Sequence, residues 1–115
     1  MNSCNFLGRL VRDPEIKEFE SGSILAKFTL AVDRTTKSDG EKINKADFIP
    51  FQVWGELAKI IGRTLKKGQK IAVYNCDIET GEYEDKEGTK HYTWWLNVGR
   101  FEYVEKKIDR EETEK

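Results

Sequence analysis

The chain has little of what usually holds a cofactor or staples a fold. Among 115 residues there are two cysteines, one histidine, two prolines and one methionine. Cys4 and Cys76 sit in apolar, strand-like runs with no CxxC spacing. They read as reduced thiols acting as small hydrophobes, with a disulfide as the alternative. His91 stands alone, so no zinc set can be assembled, and neither metal nor cofactor is expected. His91 also lacks a serine, cysteine or carboxylate at a recognisable spacing, and the acids are scattered rather than clustered as metal-dependent hydrolysis requires. Gly8, Gly40, Gly68 and Gly88 belong to turns or bulges, because no GxxxxGK[ST] phosphate loop exists. No apolar run approaches the ~18 residues of a membrane span. The opening MNSCNFLGRLVRDPE has neither the apolar stretch nor the cleavage site of a secretion signal. A cytoplasmic, non-enzymatic protein is the expectation. Excess charge of one sign is missing too. The net charge is −1, with six acids and four bases from residue 102 onward and 15 acids against 16 bases before it. Any basic surface must therefore be local.

What the chain does have is pattern. Residues 47–54, DFIPFQVW, alternate Ile49, Phe51 and Val53 against Phe48, Pro50, Gln52 and Trp54. A strand sends successive side chains to opposite faces, so the first row suits a core. Phe48 and Trp54 are then two large aromatics on a face that ought to be wet. That suits a platform on which the bases of a single-stranded nucleic acid stack; burial beneath a loop or at a subunit contact is the alternative.

Around this stretch the periodicity predicts further elements. A first strand covers 4–11, with Cys4, Phe6, Gly8 and Leu10 on one face and Asn5, Leu7 and Arg9 on the other; Gly8 marks a bulge or a close backbone approach. A short edge piece at 16–19 precedes a turn at Ser21-Gly22-Ser23. The second strand, 24–32, carries apolar residues at every even position. Residues 33–45 turn polar and read as a flexible finger, too long for a tight turn. A helix over 56–67 follows from Leu57, Ile60, Ile61 and Leu65, with Gly68 closing it. Strand resumes over 70–80, a charged hairpin occupies 81–90, and a last strand covers 91–104. There Trp94 is in register with Leu96 and Val98 and is read as core. Trp95, between Thr93 and Asn97, is carried as a further platform, with core or interface packing as the alternative. Arg9, Arg34, Lys37, Lys42, Lys45 and Lys67 are the candidate phosphate contacts. Residues 1–104 are expected to form one domain, and 105–115 a short charged, disordered tail. Five main strands with one helix between the third and fourth predict an all-β, five-stranded Greek-key barrel of the oligonucleotide/oligosaccharide-binding (OB) type.

With these elements in place the sequence resembles the bacterial single-stranded DNA-binding proteins. MNSCNFLGRLVRDPE, FTLAVDR, ADFIPFQVWGELA, LKKGQKIAV and DIETGEYEDKEG carry the likeness, in that order, from residue 1 to about 104. The resemblance implies a homotetramer that coats single-stranded DNA without sequence preference in replication, recombination and repair, and is nucleoid-associated. The family's stacking aromatics fall on Phe48 and Trp54, its hairpin aromatic on Tyr83, and a basic residue after its helix on Lys67. The chain also departs from the family. It has no aromatic near Thr36, it has Glu56 after Gly55, and it has Cys76-Asp77 and Thr80-Gly81 where the family places basic residues. It stops at Glu111-Glu112-Thr113-Glu114-Lys115, without the acidic Pro-Phe tip through which the family recruits replication and repair proteins. It reads as a short form for which tip-mediated recruitment has no support. An accessory, primosomal-like OB module, with its exposed aromatics in a subunit interface, is the alternative function.

Overall fold

The computed structural model describes residues 1–105, with the side chains of residues 36–38 and 43 outside the description; of the expected tail, 105–115, all but residue 105 lies outside the described residues. The elements are β1 (Cys4–Leu10), β2 (Glu15–Glu18), β3 (Ile24–Ser38), β4 (Glu41–Trp54), α1 (Glu56–Thr64), β5 (Lys70–Glu84), β6 (Lys90–Asn97) and β7 (Arg100–Tyr103). Hydrogen bonding runs β1–β3–β4–β6–β5 and returns from β5 to β1, so five strands close into a ring. All these pairings are antiparallel except β4 with β6. Short β2 lies on the edge of β3, and β7 continues along β5. This is the closed OB barrel that the element order predicts.

The core is built from the alternating rows. Phe28 and Leu30 of β3 pair with Phe51 and Ile49 of β4, and Leu10, Ile71, Val73 and Leu96 fill the rest. Phe28 stacks on Phe51, and Phe6 meets Phe51 edge-on. Helix α1 plugs one end with Ala58 and Ile61, both fully buried. Its Gly62 lies against Ile16 of β2, where a Cβ would come within 2.8 Å of that side chain. At Gly8 a Cβ would stand 2.6 Å from the Ala31 carbonyl oxygen, so β1 and β3 approach closely only because that side chain is missing.

Four expectations need correction. Residues 33–45 are not a loop: β3 and β4 stay in register to Ser38 and Glu41, and only Asp39-Gly40 form the turn. Both have positive φ, 52° and 79°, the signature of a two-residue type I′ hairpin turn. The helix ends at Thr64, with Leu65 extended, and Gly68 serves the following turn instead. The last strand breaks after Asn97, with Gly99 pressed against Asn75 and Tyr74 carbonyls. Trp94 is not core but 44% exposed. It pairs with Thr80 beyond the point where β6 touches β4, at Leu96 and Asn97, so its row has left the barrel. Cys4 and Cys76 are cross-strand partners and both are free thiols, the second fully buried, which holds its thiol pKa up.

Candidate nucleic-acid interface

Directly paired residues share a face of the sheet, so the register sorts the outer side chains. On β4 the outward row is Trp54, Gln52, Pro50, Phe48, Ala46, Asn44 and Lys42, and their partners on β3 run from Leu25 through Lys27, Thr29 and Ala31 to Lys37. Lys17 of β2 joins opposite Leu25. Across the parallel contact, Gln52 aligns with Asn97, and Asp77, Glu79, Gly81 and Tyr83 of β5 pair with Asn97, Trp95, Thr93 and His91 of β6. One continuous outer face thus runs from the β2–β3 edge to the β5–β6 hairpin.

Four predicted aromatics lie on it. Phe48 is 65% exposed, Trp54 51% and Tyr83 57%. Phe48 and Trp54 are six positions apart on one strand, roughly 20 Å at the usual rise, so they would serve different bases. Trp54 is in register with Leu25, which is buried yet stands outside the core cluster. Trp95 is half-buried and lies over Gly81, where a Cβ would come within 3.2 Å of the indole. Its Nε1 donates to Asn97 Oδ1 at 3.2 Å, and Asn97 Nδ2 donates to Asp77 and Glu79 at 2.8 and 2.9 Å. Between Trp95 and the β3–β4 sheet runs a groove of about 280 Å³, lined among others by Arg12, Lys27, Thr29, Pro50 and Gln52.

The predicted cations divide. Lys37 and Lys42 are directly paired on the Phe48 row, although the Lys37 side chain lies outside the description. Arg34 and Lys45 pair with each other on the opposite row, and Arg34 donates to Asp47 at 2.6 Å. Arg9 lies beside Ala31 on the outer face, but its guanidinium is held by both Glu105 oxygens, at 2.9 and 2.7 Å, and by the Gly68 carbonyl. That pairing raises the Arg9 pKa and lowers that of Glu105. Lys67 is exposed in the turn after α1, where its backbone amide donates to Asp13. The structure therefore brings Lys42 toward the aromatics and leaves Arg34 and Lys45 behind them.

Sequence reasoning missed several contributors. Neither Lys27, in the odd-numbered row of its strand, nor Arg12 is among the predicted phosphate contacts. Phe19 stacks on Trp54, with ring centroids 5.5 Å apart and planes 29° apart, while the Lys17 ammonium lies 5.0 Å from the Phe19 centroid. His91 does have a carboxylate partner: Asp85, six residues earlier across the hairpin loop, is 2.7 Å from its Nε2. Asp85 also accepts the Glu87 and Thr89 amides, and together these contacts, His91 first, hold its pKa below the usual carboxylate range. No cluster of three or more metal-ligating side chains exists among the described residues, and no helix among them is long and apolar enough to cross a membrane.

Known proteins give this architecture a context. Single-stranded DNA-binding protein 2 of Clostridium acetobutylicum is 41% identical over 106 residues, covering 91% of this chain and 77% of its own. Single-stranded DNA-binding protein 1 of Synechocystis sp. is 34% identical over 113 residues, covering 97% and 90%. A solved Plasmodium falciparum SSB complex with ssDNA superposes with a TM-score of 0.82 over 91% of this chain and 96% of that one; at 19% identity it speaks to the fold. The model of the single-strand binding protein family matches residues 1–104, and with relatives at this identity over most of their length the chain belongs to that family.

Proposed function

We propose that residues 1–104 form a domain that binds single-stranded DNA without sequence preference and coats it where replication, recombination and repair expose it. The observation that carries this reading is the outer face itself, on which Phe48, Trp54 and Tyr83 are all more than half exposed and in the same row system as Trp95. Every base has a π-face, so stacking on such rings is indifferent to sequence. Lys42, Lys27, Lys17 and Arg12 supply the phosphate contacts, joined by Lys37, while Arg9, Arg34, Lys45 and Lys67 are secondary. The chemistry is binding alone, with no bond made or broken.

The working form in this proposal is a cytoplasmic, nucleoid-associated homotetramer. The exposed apolar row Ile78, Tyr92 and Trp94 on the back of the β5–β6 hairpin supports a contact between copies there. The experiment is titration of the protein with a dT oligomer, read by quenching of tryptophan fluorescence, alongside Phe48→Ala and Trp54→Ala. Stacking is worth about 1–3 kcal/mol per base, so each substitution is expected to weaken binding by roughly fivefold or more. Unchanged affinity in both variants would refute the stacking role, and loss of assembly with DNA binding retained would place these rings in a subunit interface instead.

A further inference from the structure

Trp54 and Tyr83 are not isolated rings. Each is the upper member of a two-ring stack whose lower member comes from a different part of the chain. Beneath Trp54 is Phe19, at the start of the β2–β3 turn, 5.5 Å away and 29° from parallel. That turn is tightly built: the Phe19 amide donates to the Ser23 carbonyl at 2.9 Å, the Gly22 amide donates back to Phe19 at 2.8 Å, and Gly22 takes a φ of 91°. Lys17 places its ammonium 5.0 Å from the Phe19 centroid, a cation–π contact on the same ring. Beneath Tyr83 is His91, directly across the β5–β6 ladder, 5.2 Å away and 22° from parallel. Asp85 fixes that imidazole at 2.7 Å, and the loop in turn fixes Asp85 through the Glu87 and Thr89 amides, both at 2.9 Å.

The two stacks share no residues, yet they have the same plan. An exposed ring rests on a half-buried ring, and a charged side chain anchors the half-buried one. A lone exposed aromatic samples several rotamers and must give them up when a base settles on it. A ring already stacked on a fixed neighbour has given up that freedom in advance. The geometry points to Phe19 and His91 as positioning residues that hold Trp54 and Tyr83 ready for bases, each acting only through the ring above it. Lys17 and Asp85 anchor these supports. The inference rests on the proposed stacking role of Trp54 and Tyr83, and goes beyond it by naming what makes those rings effective.

A double-mutant cycle separates the two claims. Affinity for a labelled dT oligomer would be measured by fluorescence anisotropy at one fixed salt concentration for wild type, Phe19→Ala, Trp54→Ala and the double variant, with Phe19→Leu and Phe19→Tyr beside them. An aromatic pair contributes enough that Phe19→Ala should weaken binding roughly two- to twelvefold. Phe19→Leu, which keeps apolar bulk but not the flat ring, should also weaken it, and Phe19→Tyr should restore it to within about twofold. In the Trp54→Ala background the Phe19 substitutions should change nothing further. The second stack gives the parallel set: His91→Ala weakens, His91→Phe rescues, and neither matters once Tyr83 is alanine. If Trp54→Ala and Tyr83→Ala themselves leave affinity unchanged, the stacking role fails and the inference falls with it. If they weaken binding while Phe19→Ala, Phe19→Leu and His91→Ala do not, the inference alone is overturned. Equal losses with and without the upper ring would overturn it as well, since Phe19 and His91 would then act elsewhere.

Discussion

Asp77 and Glu79 stand on the proposed binding face, paired with Asn97 and Trp95, where phosphates of a bound strand would pass. Both are exposed. Replacing them with their amides, Asp77→Asn and Glu79→Gln, should strengthen binding. The carboxylate oxygens accept hydrogen bonds from Asn97 Nδ2 at 2.8 and 2.9 Å, and an amide carbonyl can accept the same bonds, so the anchor of Trp95 survives. What changes is charge. Two unit charges about 8 Å apart in water repel by roughly 0.5 kcal/mol. Screening over a Debye length of about 10 Å at 0.1 M salt trims this to about 0.2 kcal/mol. The double variant should therefore gain about 0.4–1 kcal/mol at low salt, a roughly two- to fivefold tighter complex. At 1 M salt, where the Debye length is about 3 Å, the gain should vanish. Anisotropy titrations of a labelled dT oligomer at both salt concentrations measure it. No gain at low salt, an equal gain at high salt, or weaker binding throughout would refute the placement of these acids beside the DNA.

Four further outcomes are expected. Single strands release about 0.7 counterions per phosphate contact, so Arg12, Lys17, Lys27, Lys42 and Lys37 predict a slope of about −2 to −3.5 in log affinity against log salt. A slope beyond about −5 would require Arg34, Lys45 and Arg9 as well. Trp95→Ala should weaken binding, whereas Trp94→Phe, on the opposite face, should leave affinity within about twofold; the reverse result would invert the assigned faces. Gly8→Ala should destabilise by about 1–3 kcal/mol, because the new methyl meets the Ala31 carbonyl carbon and oxygen, and a urea midpoint reads the loss. Gly40→Val strains a residue at φ 79° without a clash, by roughly 1–3 kcal/mol. It should loosen the finger tip and flatten the salt slope, yet cost less affinity than Phe48→Ala; an equal loss would mean the tip sets the position of Phe48.

The barrel was legible because its core rows alternate cleanly. Ile24, Ala26, Phe28, Leu30 and Val32 against Ile49, Phe51 and Val53 fix two strands, and the change to helical spacing at Leu57 fixes the helix between the third and fourth main strands. The finger was not legible. Both of its faces meet water, so neither row is apolar and alternation carries no signal there. Asp39-Gly40 was the one local cue, a pair suited to a two-residue turn. Trp94 misled for a related reason. Its spacing from Leu96 is that of a core row, but a row remains core only while another layer covers it, and β6 has already parted from β4 at that point. Phe19 gave no signal of its own, because an aromatic between Glu18 and Glu20 in a short edge piece has no periodicity to reveal its partner. The Asp85–His91 pair was hidden by distance along a loop whose path depends on the backbone hydrogen bonds of Asp85 itself.

The finger and Trp94 share a cause that also shapes the proposed binding face. In each long hairpin the barrel supplies one covered row and one open row, and both rows continue past the barrel's end. The open row of β4 carries Trp54 and Phe48 on to Lys42; the covered row carries Phe51 and Ile49 on to Asp47 and Lys45, with Arg34 held by Asp47. In the β5–β6 hairpin the open row carries Trp95 and Tyr83, and the covered row emerges as Trp94 and Tyr92. Because the side-chain period is two, a slip of one residue would exchange the rows completely. Register is held far from the tips, by pairs such as Phe28 with Phe51 and Leu30 with Ile49, whose displacement would turn core residues into water. The same hydrophobic packing that closes the barrel therefore decides which aromatic rings and which lysines stand on the proposed nucleic-acid face.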